Sequence, residues 1–326
     1  KEAMDYYWTG TNEAVEDYQG TRVRDFKLVV TYKMPTETND VTEREYEQCR
    51  KIQKRLKARL KEAGINPAEM TANGYVNLLS PFLHSKDDAL WMKGDVELDE
   101  SRPINETVLQ NDTGIKEDTD GITITSGKHK VFGKQLTAKK FPKGAHVGNA
   151  FRWFGDPLDG GGCVTNNFII TVNIYFPNSQ STKDSIALKR GQYIRNSFDA
   201  MVHFAPKIKD MRVELDAVFD SFEDGAKPIQ VSLEAIVFGD SEESAEEGRT
   251  ALQTYMSDAG LEMVSEYRFA LPSFIQMLPF GACEQAVKIS RRYSTMSTKF
   301  VLPILPLFSD WKGTGTSVIN LVSRTG

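Results

Sequence analysis

Two hydrophobic periods alternate along the chain. Residues 24–34 place Phe26, Leu28, Val30 and Tyr32 opposite Lys27, Thr31 and Lys33, the period of two that predicts a half-buried strand. Thr42 with Glu45 then forms a capping box, and Tyr46, Cys49, Ile52, Leu56, Leu60 and Ala63 recur at spacings of three and four up to Gly64. That spacing predicts an amphipathic helix. Residues 85–121 lose periodicity and turn acidic, which predicts a long polar surface loop or insertion. Short strands follow over 122–125 and 131–141, joined by Ser126-Gly127. A β-branched and aromatic strand spans 168–176, ended by Pro177-Asn178. A long helical pattern starts near Asp184, is interrupted by Pro206, and resumes until Asp224-Gly225. Alternation returns over 229–238, a second capping box is read at Asp240 with Glu243, Gly260 stops the helix after it, and residues 261–269 read as a further strand.

This order predicts an α/β protein of the α+β type: a mixed sheet with long helices packed on one face and a ferredoxin-like element in the C-terminal half. Three parts are expected. Residues 1–150 form an α/β subdomain with a polar insertion near 85–121, residues 151–272 a βαβαβ subdomain, and residues 273–326 a connector and β-hairpin.

Composition narrows the class without naming a reaction. The chain has 326 residues, is 40% hydrophobic and 26% charged, and carries a net charge of −5, which excludes a disordered or collagen-like chain. A mildly acidic chain has no overall attraction for phosphate backbones, so nucleic acid is an unfavoured partner. The basic positions Arg50, Lys51, Lys54, Arg55, Lys57, Arg59 and Lys61 read first as a solvated helix face; their alternative use is in a free-standing nucleic-acid or ligand-binding module built on helix 42–64. Cys49, Cys163 and Cys283 stand far apart with no CxxC pair, which argues against a zinc site and for buried thiols in a reducing compartment. The longest apolar run, 300–308, holds two prolines and is about half of what a membrane span requires. No direct membrane span is expected.

The search for chemistry is negative. A P-loop needs G-x-x-x-x-G-K-[ST], and the nearest approach, Gly121 to Gly127-Lys128, has one residue too many and is followed by His129. Gly313-Thr314-Gly315 lacks the lysine. His84, His129, His146 and His203 form no metal-binding pair, and no GxSxG elbow exists. Catalytic, cofactor-binding and metal-binding residues are therefore expected to be absent from this chain.

The last block is more informative. Leu278-Pro279, Arg291-Arg292, Thr295, Pro306 and Trp311-Lys312-Gly313-Thr314-Gly315 precede a strand-like run that includes Asn320-Leu321 and Arg324, after Gly155-Asp156, residues 163–177 and the Pro206-interrupted helix. In order and spacing these segments resemble the N-terminal region of the TraC family, the large cytoplasmic ATPases of F-type conjugative type IV secretion systems. The resemblance covers about 25–326 and is strongest after Lys140. It implies a non-catalytic docking and assembly domain that anchors a motor to the inner-membrane base of the channel during DNA transfer. It further implies a cytoplasmic protein, peripheral at the inner membrane through partner components, that self-associates into a hexamer through the full-length protein. ATP and magnesium would bind only in the motor, which this chain lacks and which is expected to follow it. Arg291, Arg292, Trp311, Lys312, Gly313 and Arg324 are the candidate connector to that motor.

Overall fold

The computed structural model describes residues 27–36, 40–86, 88–94, 96–142, 144–146, 148–155, 162–197 and 207–306. The chain divides into two compact units, one of Lys33–Glu69 with Leu307–Gly326 and one of Lys1–Tyr32 with Met70–Pro306.

The smaller unit contains helix α1 (Glu43–Glu62). Its capping box is complete: the Thr42 hydroxyl accepts from the Glu45 backbone N–H at 3.3 Å, and the Glu45 carboxylate accepts from the Thr42 N–H at 2.9 Å. At the other end Gly64 takes a left-handed φ of 83°, so that Gly64 N–H reaches Lys61 O at 3.0 Å and Ile65 N–H reaches Leu60 O at 2.9 Å. Both ends are thus closed by local chemistry, yet no side chain of α1 is buried. Of the strand expected over 24–34, residues 24–26 lie outside the described residues and 27–34 run without regular structure, with Leu28, Val30 and Tyr32 exposed. Alternation makes a strand only where a neighbouring edge takes up its backbone groups.

The first described helix of the larger unit is α2 (Ala72–Leu83), whose Thr71 hydroxyl accepts from Gly74 N–H at 3.1 Å. The segment expected as a polar loop then forms α3 (Leu90–Lys93), α4 (Ile104–Val108) and strand β1 (Thr113–Asp118), with Ala89, Val96 and Val108 buried. Side-chain-to-backbone bonds hold it. Asn77 both accepts from Val96 N–H (2.7 Å) and donates to Val96 O (3.0 Å), and Asn73 accepts from Leu98 N–H (2.9 Å). The fully buried His84 ring lies 2.8 Å from both Thr113 Oγ1 and Val108 O, while Trp91 donates its indole N–H to His84 O at 2.7 Å. Such pins leave no periodic trace, which is why the segment read as a loop.

Strands β2 (Gly121–Ser126), β3 (His129–Lys140), β4 (Asn167–Tyr175), β5 (Pro228–Gly239), β6 (Glu262–Ser265) and β7 (Ser294–Ser297) join β1 in one seven-stranded sheet. The main path runs β1-β2-β3-β5-β4; β6 pairs with β3 beyond the end of β2, and β7 pairs with the first part of β5. The fold is α+β, and among the described residues every ladder is antiparallel, where the sequence suggested a mixed sheet. Helix pairing accounts for the direction. Two helices, α5 (Ser179–Ser197) and α6 (Lys207–Glu223), separate β4 from β5, so the chain re-enters the sheet at the end it left, whereas a single crossover helix would set the two strands parallel. The helices are cross-linked by Arg190, which donates to Asp216 at 2.5 Å and lies 4.7 Å from the Phe219 ring centre. Their junction at Pro206 lies outside the described residues, as does His203.

Both faces of the sheet are covered. Ile229, Val231, Leu233, Ala235 and Val237 of β5 pack with Leu252 and Met256 of helix α7 (Glu242–Asp258). The other face, which the one-sided expectation leaves open, carries α2 and helix α8 (Ala270–Met277): Ile236 and Phe238 meet Val76, Leu79, Leu83, Phe274 and Met277. The β3–β5 ladder joins residues on either side of position 150, so one sheet runs through both expected subdomains. Helix α7 begins one residue later than its expected box: Ser241 is the N-cap and accepts from Ser244 N–H at 3.1 Å. It ends as read, with Gly260 at φ 86° and Leu261 N–H on Met256 O at 2.9 Å. The strand expected over 261–269 stops at Ser265, and the Leu271-Pro272 pair lies in the first turn of α8, where proline's missing N–H costs nothing. Two short helices, α9 (Glu284–Ser290) and α10 (Thr298–Val301), flank β7. All three cysteines are free and exposed instead of buried, and Cys283 caps α9 by accepting from Ala286 N–H at 3.4 Å.

Candidate functional site

The α2–α8 face of the sheet is apolar on one side and polar on the other. On β3 and β5, Gln135, Thr137, Ser232 and Glu234 share the face of Ile236, because Thr137 pairs with Glu234 and Gln135 with Ile236. All four are buried. Glu266, the residue after β6, turns into the same space, held by its N–H on Gln135 O at 3.2 Å. Ser273 and Gln276 enter from α8, and Arg292 and Tyr293 from the link between α9 and β7.

Two carboxylates organise this cluster in different ways. Glu266 is only 1% exposed and is met by the Arg292 guanidinium as a fork, Nε at 2.6 Å on one oxygen and Nη2 at 2.9 Å on the other. Thr137 adds its hydroxyl at 2.6 Å. Glu234, equally buried, has no cation at hydrogen-bonding distance among the described residues; Ser273 donates to it at 2.8 Å. Burial pushes the Glu234 carboxyl above its usual range, the hydroxyls of Ser273 and Ser232 oppose that, and the charges of Glu266 and Arg292 act against each other. Burial also pushes the Tyr293 phenol up to about 12. Among the described residues both ends of the Gln135 amide and Glu234 Oε1 find no hydrogen-bond partner.

The sign of the Glu234 shift fixes a pH prediction. A carboxyl whose pKa is raised on folding contributes stability that is present below the unfolded value of 4.5 and is lost as pH climbs towards the folded value. Replacing it by its neutral isostere, Glu234→Gln, is expected to raise stability at neutral pH, where the buried carboxyl would otherwise have to ionise. The gain should vanish as pH falls to the ordinary carboxyl range. Urea midpoints of parent and variant across pH check this; a difference independent of pH would refute it.

Chemically the arrangement is a clamp. Arg292–Glu266, Thr137–Glu266, Ser273–Glu234 and Tyr293–Gln276 (3.5 Å) each cross from one element to another, tying α8 and the 291–293 link to the middle of the sheet. Of the candidate connector residues, the structure brings Arg292 into this clamp. Arg291 next to it is exposed and closes α9 in a left-handed conformation, φ 52°. Trp311, Lys312, Gly313 and Arg324 lie outside the described residues. Sequence reasoning missed Glu234, Glu266, Gln135, Thr137 and Ser273. Glu234 left a signal: it is the single charge in the apolar stretch 229–238. Among the described residues no group of three or more His, Cys, Asp or Glu could hold a metal ion, and no helix is long and apolar enough to cross a membrane.

The chain belongs to the TraC family: the family model described as TraC protein matches residues 1–282. That membership gives it a role in conjugative type IV secretion. The match stops short of Arg291 and Arg292. A search of curated proteins found no match.

Proposed function

We propose that this chain is the docking and assembly part of a TraC-type conjugation ATPase, anchoring the motor to the inner-membrane base of the secretion channel. Membership of the family carries the reading. The absence of any G-x-x-x-x-G-K-[ST] sequence in the 326 residues fits a part that holds and does not hydrolyse. The route from the sheet towards the C-terminal residues also suits an anchor. β7 is laddered to β5, Thr298 N–H reaches Lys227 O at 2.9 Å, and Val301 and Ile304 are buried in the α7-side core. A pull on residue 306 would thus be resisted by a ladder, a core and the Arg292–Glu266 pair. In this reading Arg291, Arg292, Trp311, Lys312, Gly313 and Arg324 belong to the connector, ATP and magnesium belong to the motor, and the hexamer forms through the full-length protein.

Two measurements test the proposal. Co-expressed with the inner-membrane components of its own secretion system, the chain should co-purify with at least one of them. It should show no ATP turnover above background. Retention of every component by full-length protein but none by this chain would move the docking surface elsewhere, and turnover that survives stringent purification would end the non-catalytic reading.

A further inference from the structure

Helix α1 is finished at both ends by its own caps and yet buries none of its side chains. Its sequence is not that of a helix polar all round. Ile52, Leu56 and Leu60 follow one another at intervals of four, and Tyr46 and Cys49 extend the same stripe by one turn and more. Tyr46 is 51% and Leu56 38% exposed.

Over the last three turns the charge beside that stripe is mostly positive. Residues 50–61 contain seven Lys or Arg and no Asp or Glu. With Arg44 and the glutamates Glu43, Glu45, Glu47 and Glu62 counted, α1 holds eight Lys or Arg against four Glu, a net +4 on a chain of net charge −5, which leaves −9 for all other residues. Among the described residues Lys57 bonds Glu69 at 2.8 Å and Arg59 bonds Glu62 at 2.8 Å. Arg50 and Lys57 border the stripe on one side and Arg55 and Arg59 on the other, as the helical period of 3.6 requires. Arg50 also lies 5.7 Å from the centre of the Tyr46 ring, so the aromatic and a cation project together.

From this we infer that α1 binds directly to an anionic lipid bilayer, lying along its surface with Ile52, Leu56 and Leu60 at the acyl boundary and the flanking Lys and Arg at the headgroups. A nucleic acid would use the charges and leave the apolar stripe in water. A second copy of the helix would bring like charges together along both flanks, where a stable helix pair needs opposite ones. An anionic bilayer satisfies the stripe and both flanks together. The inference is independent of docking through channel proteins, since no protein partner enters it.

Vesicle flotation of the full chain tests it. With vesicles in which about a third of the lipid is phosphatidylglycerol, the chain should float at low salt, float less at high salt, and remain unbound with phosphatidylcholine alone. Each cation removed should weaken binding about fivefold, so the Arg50→Gln/Lys54→Gln/Arg55→Gln variant should lose roughly a hundredfold. Leu56→Ser/Leu60→Ser, which keeps every charge, should lose at least about tenfold. Circular dichroism and thermal melting of both variants should match the parent, because no core residue is changed. No flotation with anionic vesicles, or flotation untouched by the serine variant, would overturn the inference. So would binding to a DNA duplex that depends on the three cations but not on Leu56 and Leu60, or self-association abolished by the serine variant.

Discussion

Arg292→Ala is expected to cost about 3 kcal/mol of folding stability, the low end of what breaking a buried ion pair costs. The side chain of Glu266 is 1% exposed, so the variant strands a carboxylate with the Thr137 hydroxyl as its remaining side-chain donor. The arginine side chain is itself 39% exposed and therefore partly screened, which holds the loss to the low end. Arg292→Lys should recover part of it, because the charge survives while the two-point fork is lost. The double variant Arg292→Met/Glu266→Leu should lie close to the parent, since removing both charges also removes the cost of burying them. Urea unfolding followed by tryptophan fluorescence reads all three. A loss below about 1 kcal/mol for the alanine variant would mean that the pair behaves as a surface salt bridge and the clamp is not one.

Phe274→Ala is expected to cost about 3 to 5 kcal/mol. Phe274 is fully buried and meets Phe238 of β5 edge-on, ring centres 6.4 Å apart at 82°, and Phe238 in turn lies 5.7 Å from the Phe82 ring. Truncation leaves a cavity between α8 and the sheet and removes an aromatic pair whose geometry adds to its buried area. Its neighbour in sequence is the internal control. Ile275 is 50% exposed on the same helix, and Ile275→Ala should change stability by less than about 1 kcal/mol. Hydrogen exchange should show α8 as the first element to lose protection in the Phe274 variant. Equal losses from the two substitutions would contradict the packing described for α8.

Both substitutions act where the chain's local pattern is weakest. Pro272 and the pair Arg291-Arg292 look like connector sequence, and nothing within ten residues announces a buried helix or a buried ion pair. Glu266 lies 26 positions before Arg292, and Thr137 lies 129 before Glu266. Segment 85–121 failed to read as structure for a related reason: its helices are a turn or so long and are held by Asn73, Asn77 and His84, whose partners sit about twenty to thirty residues away. The alternation over 27–34 misled in the opposite sense, offering a strand pattern with no ladder to join.

What the chain determines locally is legible without coordinates. Thr42 with Glu45 starts a helix, Gly64 and Gly260 end helices in left-handed turns, and β4 and β5 follow from β-branched and aromatic runs, because each signal lies within a turn of the residues it acts on. The concentration of charge on α1 and the membership of the TraC family are likewise properties of sequence alone. Only the tertiary structure decided that the sheet is antiparallel and covered on both faces, and that Arg292, read as connector, is the cation of an internal clamp. Strand direction, register and buried pairing are settled by hydrogen bonds and contacts between residues tens to more than a hundred positions apart. A one-dimensional pattern records which residues want burial but not which of them meet.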